Sequence, residues 1–214
     1  MYEWHSQGTN RSTAVPHIIN HAGGSTTVNV NQRTGGGQWN LLGTYTFNAG
    51  TSGDVRVTAG FSSGTGSVAI ADAIRFKLVA PADIIVDNSA SGFSASSNWT
   101  LGTSAVDKYG SDYRFRSTAS ISDPATWNFS LPASGNWEVY AWWSQGTNRS
   151  NTAPYIVYHS GGSTTVSKNQ RTGGGQWNTL GIHNFASGAN NVKLSCYTTS
   201  GYVVIADAIK LVKR

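Results

Sequence analysis

The chain has 214 residues, with 15 Lys and Arg against 10 Asp and Glu, a formal net charge of +5 and only 12% charged residues. That length accommodates one large β domain or two ordinary ones with a real core, and a hydrophobic content of 38% with aromatics along the whole chain excludes a disordered polymer. The modest positive charge, with no Lys/Arg run, excludes a nucleic-acid footprint and favours an acidic polysaccharide or cell-wall polymer over a neutral one. The single cysteine, Cys196, rules out an intrachain disulfide. The opening Tyr2-Glu3-Trp4-His5 is neither a basic leader nor an apolar one, and no stretch approaches the roughly 20 apolar residues of a membrane span. If the protein is exported, as a protein of the cell surface or extracellular space would be, its signal is expected outside this sequence.

Compared with itself, the chain repeats. Tyr2 to Gly50 aligns without a gap to Tyr140 to Gly188 at roughly two-thirds identity. The blocks Ser6–Ser12, Gly23–Val28 and Asn31–Asn40 recur unchanged at Ser144–Ser150, Gly161–Val166 and Asn169–Asn178. After small gaps the match resumes at Val68–Ile74 and Val203–Ile209. Residues 83–138 have no counterpart ahead of Tyr2. The chain thus reads as a partial repeat (1–79, the C-terminal half of the unit), a linker (80–82, Ala-Pro-Ala) and a complete unit (83–214). A half-unit leaves strand edges without neighbours. Three arrangements answer that: an upstream half in a longer protein, pairing with another chain, or closure as a smaller sheet.

Within the complete unit, strands are expected at Ile84–Asp87, Tyr113–Ser117, Ala125–Leu131, Gly135–Trp142, Ala153–His159, Ser163–Asn169, Trp177–Phe185, Asn191–Tyr197 and Val203–Val212. Turn clusters separate them at Ser89–Gly92, Pro132–Gly135, Ser160–Gly162, Thr172–Gly175 and Ala186–Gly188. No segment holds a helical period. Short strands at this spacing predict an all-β fold, an antiparallel β-sandwich of jelly-roll type.

The blocks IIVDN (Ile84–Asn88), GFSASSNW (Gly92–Trp99), YGSDYRF (Tyr109–Phe115), the run Ala125–Trp143, the run Ala153–Val166, GGQWNTLG (Gly174–Gly181) and GYVVIADAIKLV (Gly201–Val212) resemble the golvesin-type, or xanthan-lyase-type, carbohydrate-binding domain. That domain stands at the C-termini of bacterial cell-wall amidases and polysaccharide lyases. The resemblance implies a galactose-binding-like sandwich and an accessory, non-catalytic role on secreted bacterial proteins.

The residues themselves offer little catalytic chemistry. There is no G-x-S-x-G elbow, and no Ser/His/Asp set is marked. His21 and His159 precede turns at equivalent positions and are expected to hold them by hydrogen bonding. Cys196 faces Ala59 in the repeat, as a small core residue would. Glycosidases need two carboxylates across a cleft, whereas the repeated acids Asp72 and Asp207 occur once per copy in apolar surroundings. For Asp207 a structural ion pair is expected, with Arg149 or Arg171 as partner, and Arg11 or Arg33 in the first copy. Asp107, Asp112 and the carbonyls around Lys108–Ser111 suggest an oxygen-rich calcium loop but lack a full ligand set, so the reading is no metal and no cofactor.

Binding is the better-supported chemistry, because sugar rings stack on aromatic faces and their hydroxyls need planar amide or guanidinium partners. Candidate ligand residues are Trp143, Gln145, Asn148 and Arg149 in the first repeated loop, Tyr155 and Tyr158 on the next strand, and Gln170 and Arg171 in the second loop. The glycines of that second loop would let backbone approach a ligand. Trp39 and Trp177 are read as structural, packed over the glycines. Adjacent Trp142 and Trp143 point to opposite faces. In the first copy His5, His17 and Asn20 replace Trp143, Tyr155 and Tyr158, which reads as lost aromatic surface. The expectation is a non-catalytic module for polysaccharide or peptidoglycan. The alternative is an assembly protein whose incomplete repeat pairs between chains.

Overall fold

The computed structural model describes residues 1–48, 50–60 and 67–214, and among them there is no helix. The chain divides into two compact units, Met1–Val79 and Ala80–Arg214. In the first unit lie β1 (Tyr2–Trp4), β2 (Val15–His21), β3 (Gly24–Val30), β4 (Asn40–Leu41), β5 (Asp54–Val57) and β6 (Ala73–Arg75). They form two three-stranded antiparallel sheets, β4-β1-β6 and β3-β2-β5. Strict alternation on β2 turns Val15, His17 and Ile19 inward. The core they join is small, centred on Met1, Ile19 and Leu42.

The second unit contains β7 (Ile84–Asp87), β8 (Phe93–Ser94), β9 (Thr100–Gly102), β10 (Tyr113–Ser117), β11 (Ala125–Leu131), β12 (Gly135–Trp142), β13 (Ala153–His159), β14 (Gly162–Lys168), β15 (Asn178–Phe185), β16 (Gly188–Leu194), β17 (Val203–Ala206) and β18 (Ala208–Lys213). A five-stranded sheet, β14-β13-β16-β11-β8, and a four-stranded sheet, β15-β12-β18-β7, enclose the core, and β17-β10-β9 forms a third, smaller sheet. Every ladder is antiparallel, so the all-β sandwich expected from the sequence is the observed fold. The inward residues of β11, β12, β13 and β16 meet in the middle. Trp127 is fully buried with its ring 5.4 Å from Phe93 and 6.4 Å from Tyr155, and Phe129 meets Phe185 at 6.2 Å.

The two units share a register. Tyr2 faces Arg75 as Tyr140 faces Lys210, and His17 faces Val57 as Tyr155 faces Leu194. Both hairpins between the matched strands turn on a histidine. The Gly161 N–H donates to His159 Nδ1 (3.1 Å), so Nε2 carries the proton that reaches Thr164 Oγ1 (2.9 Å). His21 repeats this with Gly23 (3.1 Å) and Thr26 (3.0 Å).

Gln170, expected at a ligand surface, is fully buried and belongs to the frame. Its Oε1 accepts from Ile205 N (2.8 Å), while its Nε2 donates to Ile205 O (2.8 Å) and to the Tyr155 hydroxyl (2.9 Å). A carboxamide has the same donor–acceptor pair as a peptide group, so it continues the ladder where no strand can reach. Gln32 does the same for Ile70, with both bonds at 2.7 Å.

The predicted strand Val203–Val212 breaks in two at Asp207. β17 pairs with β10, and β18 pairs with β12 and β7. Asp207 is wholly buried at the switch, and its carbonyl accepts from Trp127 Nε1 (3.2 Å). The expected ion pair is not formed. Arg149 turns to Ser144 O and Asn148 Oδ1, and Arg171 to Arg149 O, while Asp72, the counterpart in the first unit, is exposed. Asp207 Oδ2 takes the Tyr109 N–H (3.1 Å), and Oδ1 has no partner. Burial pushes its pKa up to about 8; the Tyr109 N–H opposes that rise, and the acids Asp87, Asp112 and Asp107 add to it.

Two outcomes are expected. Gln170→Ala strands two backbone groups of Ile205 in the core and destabilises the fold by about 2–4 kcal/mol, read as a lowered urea midpoint at unchanged m-value. Asp207 has an ordinary value of 3.8 and a folded value near 8, so between those limits the native state holds a proton that the unfolded chain releases. Its contribution therefore falls with rising pH across that window, by at most about 1.4 kcal/mol per pH unit, and levels off above pH 8. Thermal unfolding in metal-free buffer at stepped pH should show this slope, and Asp207→Asn should flatten it.

Candidate functional site

The two repeated loops dock on each other. Gly174, the middle glycine of the triplet, lies so close to the first loop that a Cβ there would stand 2.5 Å from Gln145 N. The Gln145 carboxamide oxygen in turn accepts from Gly174 N at 3.0 Å. Gly36 and Gln7 repeat the arrangement, with 2.4 Å to the Gln7 nitrogen and a 3.1 Å hydrogen bond. The glycines serve this loop-to-loop contact, and the approach expected to be made by a ligand is made by the neighbouring backbone.

Several residues expected at the ligand are inside the protein. Trp143 is 2% exposed and lies under the glycine loop, donating from Nε1 to Thr172 O (3.1 Å). Tyr155 is fully buried, which pushes its phenol pKa up. With Gln170 these three present no face to a sugar: strand parity turns Tyr155 to the core, while Trp143 and Gln170, outside the strands, are held inside by their bonds to Thr172 and Ile205. The exchange of Trp143 for His5 is accordingly a core exchange. His5 is 1% exposed and places its Nε2 3.0 Å from Thr34 O, the position the indole nitrogen takes in the other unit, with Glu3 packed on its other nitrogen at 2.9 Å. His17 is likewise buried, so the first unit has not lost aromatic surface at these two positions.

Gln145 and Asn148 remain exposed. Arg149 is half-buried and bonded to Asn148, and Arg171 lies with its guanidinium 4.3 Å from the centre of the Tyr202 ring. Tyr158 is exposed at the far end of β13, beside Lys193 at 5.1 Å, away from both loops. Trp177 packs on other rings, and it is Trp143 that meets the glycines.

The outward parity of β12 builds a different face. Trp137, Val139 and Ala141 point in, so Glu138, Tyr140 and Trp142 point out. Trp142 and Trp177 meet edge to face at 5.3 Å, and Tyr109 stands 5.5 Å and 5.3 Å from them. Trp142 Nε1 donates to Asp107 O (2.9 Å), and the Gln145 N–H to Asp107 Oδ2 (3.0 Å), so the loop residue Gln145 borders this face. Lys210, opposite Tyr140 in the sheet, holds its ammonium 4.8 Å from that ring and 5.0 Å from Trp177. Glu138 is held below the usual carboxylate range by Arg214 at 2.5 Å. Among the described residues Lys210 has no acidic partner.

The first unit carries the same face. Trp4 and Trp39 meet at 5.5 Å, and Arg75 lies 4.7 Å from Tyr2 and 4.6 Å from Trp39. These rings are half-buried in both units, wet on one side. Such a surface offers flat apolar rings beside an uncompensated cation. The polarity of Glu138 in the strand and the retention of Tyr, Trp, Trp and a cation in both copies were the sequence signals for it. Among the described residues no three His, Cys, Asp or Glu side chains are placed to share a metal ion, and no helix is long and apolar enough to cross a membrane.

Comparison with known proteins agrees with this architecture. Xanthan lyase of Bacillus sp. (strain GL1) is 31% identical over 134 residues, which is 60% of this chain and 14% of the lyase. The solved Paenibacillus xanthan lyase matches 100% of this chain and 21% of its own, with a TM-score of 0.59 and 27% identity. The CBM35 of Cellvibrio japonicus Abf62 matches 62% of this chain and 94% of its own at 18% identity, with a TM-score of 0.48, too loose a likeness to argue from. The chain thus spans about a seventh to a fifth of the lyases it matches. The model of the Golvesin C-terminal domain matches twice, over residues 1–78 and 84–213, and the chain belongs to that family.

Proposed function

We propose that the chain is a non-catalytic module that holds an acidic polysaccharide, at the cell surface or outside the cell, on its two aromatic–cation faces. The observation that carries this reading is the duplication of one constellation, Tyr140–Trp142–Trp177–Lys210 and Tyr2–Trp4–Trp39–Arg75, at closely similar distances. The rings are wide enough for the C–H face of a sugar, and the cation adds attraction for a carboxylate along the polymer. Two such faces in one chain raise avidity for a repeating polymer even where each alone is weak. The relatives named as lyases of xanthan supply the first polymer to test, and peptidoglycan is the second.

A second reading, assembly between chains, rests on one observation. In the first unit β5 and β6 end their sheets among the described residues, whereas the equivalent β16 and β18 go on to pair with β11 and β7. Light scattering at rising concentration separates the two: assembly requires multiples of the chain mass, and a constant monomer removes it.

For the binding reading, affinity electrophoresis in gels containing xanthan, peptidoglycan fragments or a neutral glucan is the direct measurement. Trp142→Ala with Trp177→Ala should weaken retention by an acidic polymer at least tenfold, about 1.4 kcal/mol, at a temperature where the variant's own unfolding curve shows it still folded. Lys210→Gln should weaken it mainly at low salt. Unaltered retention in the double tryptophan variant refutes the assignment.

A further inference from the structure

A cleft of about 410 Å³ opens in the second unit, lined chiefly by Asn88, Phe93, Ser94, Ser97, Trp99 and Arg114, with none of the aromatic-face residues among them. Its size lies within the range of small-molecule sites. Arg114 is half-buried on β10, facing away from the core that its neighbour Tyr113 enters. Among the described residues it has no hydrogen bond and no acidic partner. The two carboxylates bonded to residues of the cleft, Asp112 and Asp123, are engaged elsewhere, Asp112 by Asn88 and Ser111. Asp123 is paired with Arg116, and it also accepts from the Ser96 hydroxyl (2.7 Å) and the Asn98 amide (3.0 Å).

The rest of the wall is uncommitted in the same sense. Asn88 donates its amide nitrogen to Asp112, which fixes the orientation of the group, and its Oδ1 is buried without a partner. The hydroxyls of Ser94 and Ser97 make no hydrogen bond among the described residues. Trp99 is 2% exposed, pinned by Nε1 to Asp123 O (3.0 Å), and with Phe93 gives the cleft an apolar side. A half-buried guanidinium with five free donors, beside a free amide oxygen and two free hydroxyls, is a set of groups awaiting partners.

We infer that this cleft binds a single sugar residue bearing a carboxylate, a uronic acid, with Arg114 taking the carboxylate and Ser94, Ser97 and Asn88 taking hydroxyls. The planar fork of arginine matches a carboxylate through two parallel hydrogen bonds. The Asn88 oxygen can only accept, which calls for a ligand that also donates and so favours a sugar over a bare anion. The site stands apart from the aromatic faces and does not depend on them.

Calorimetric titration of the full chain with glucuronic acid, glucose and sodium sulfate is the test. Glucuronic acid should bind, and glucose at least tenfold more weakly. Arg114→Gln should lose at least tenfold in glucuronic acid affinity at an unchanged unfolding midpoint, and Arg114→Lys should recover only part. Equal binding of glucose, undiminished binding by Arg114→Gln, or sulfate competing as well as glucuronic acid each overturns the assignment. If glucuronic acid binding survives Arg114→Gln but is lost in the Trp142→Ala, Trp177→Ala double variant, the sugar sits on the aromatic face; the inference then fails while the function reading stands.

Discussion

Gln170 closes a gap that no strand can close. Between the loop after β14 and the strand β17 the backbone bonds run through Ser150, which takes the Gln170 N–H (2.9 Å) and gives its own to Val203 O (2.8 Å). The buried carboxamide meets both the N–H and the C=O of Ile205, and reaches Tyr155 as well. Removing water from those groups without a partner would cost more than most single packing contacts contribute. The glycine loop, the first repeated loop and the final strand are all placed relative to this contact. The same contact, built by Gln32 on Ile70, organises the first unit despite its much smaller core.

Once that frame is set, the two faces of β12 have separate duties. The inward face supplies Trp137, Val139 and Ala141 to the core, with Trp143 carrying the same parity past the strand end under the glycines. The outward face supplies Tyr140 and Trp142 to the wet surface, where Trp177 and Lys210 join them. The repeat obeys this division. Inward positions change between the units, Trp143 to His5 and Tyr155 to His17, with hydrogen bonding adjusted locally by Glu3 and Thr34. The outward set keeps its two tryptophans, its tyrosine and a cation.

Buried acid and free base are distributed unevenly across the second unit. Asp207 sits at the point where the chain passes from one sheet to the next, among other acids and without a cation, and burial holds its proton on near neutrality. Arg114 and Lys210 meanwhile form no ion pair among the described residues.

From the sequence alone the all-β class, most strand positions, the repeat and the family resemblance could be read, because alternation, glycine-rich turns and long identical blocks are local signals. The outward role of Trp142 was also within reach: Glu138 marks the wet side of β12, and parity carries that side to Trp142. The partner of Asp207 was not, since the group it meets, the Tyr109 N–H, lies 98 residues away in the chain. Nor could sequence separate a glutamine that touches a ligand from one that completes a ladder. Both are polar residues in a repeated loop, and only the close approach of Ile205 in three dimensions decides that Gln170 is part of the frame.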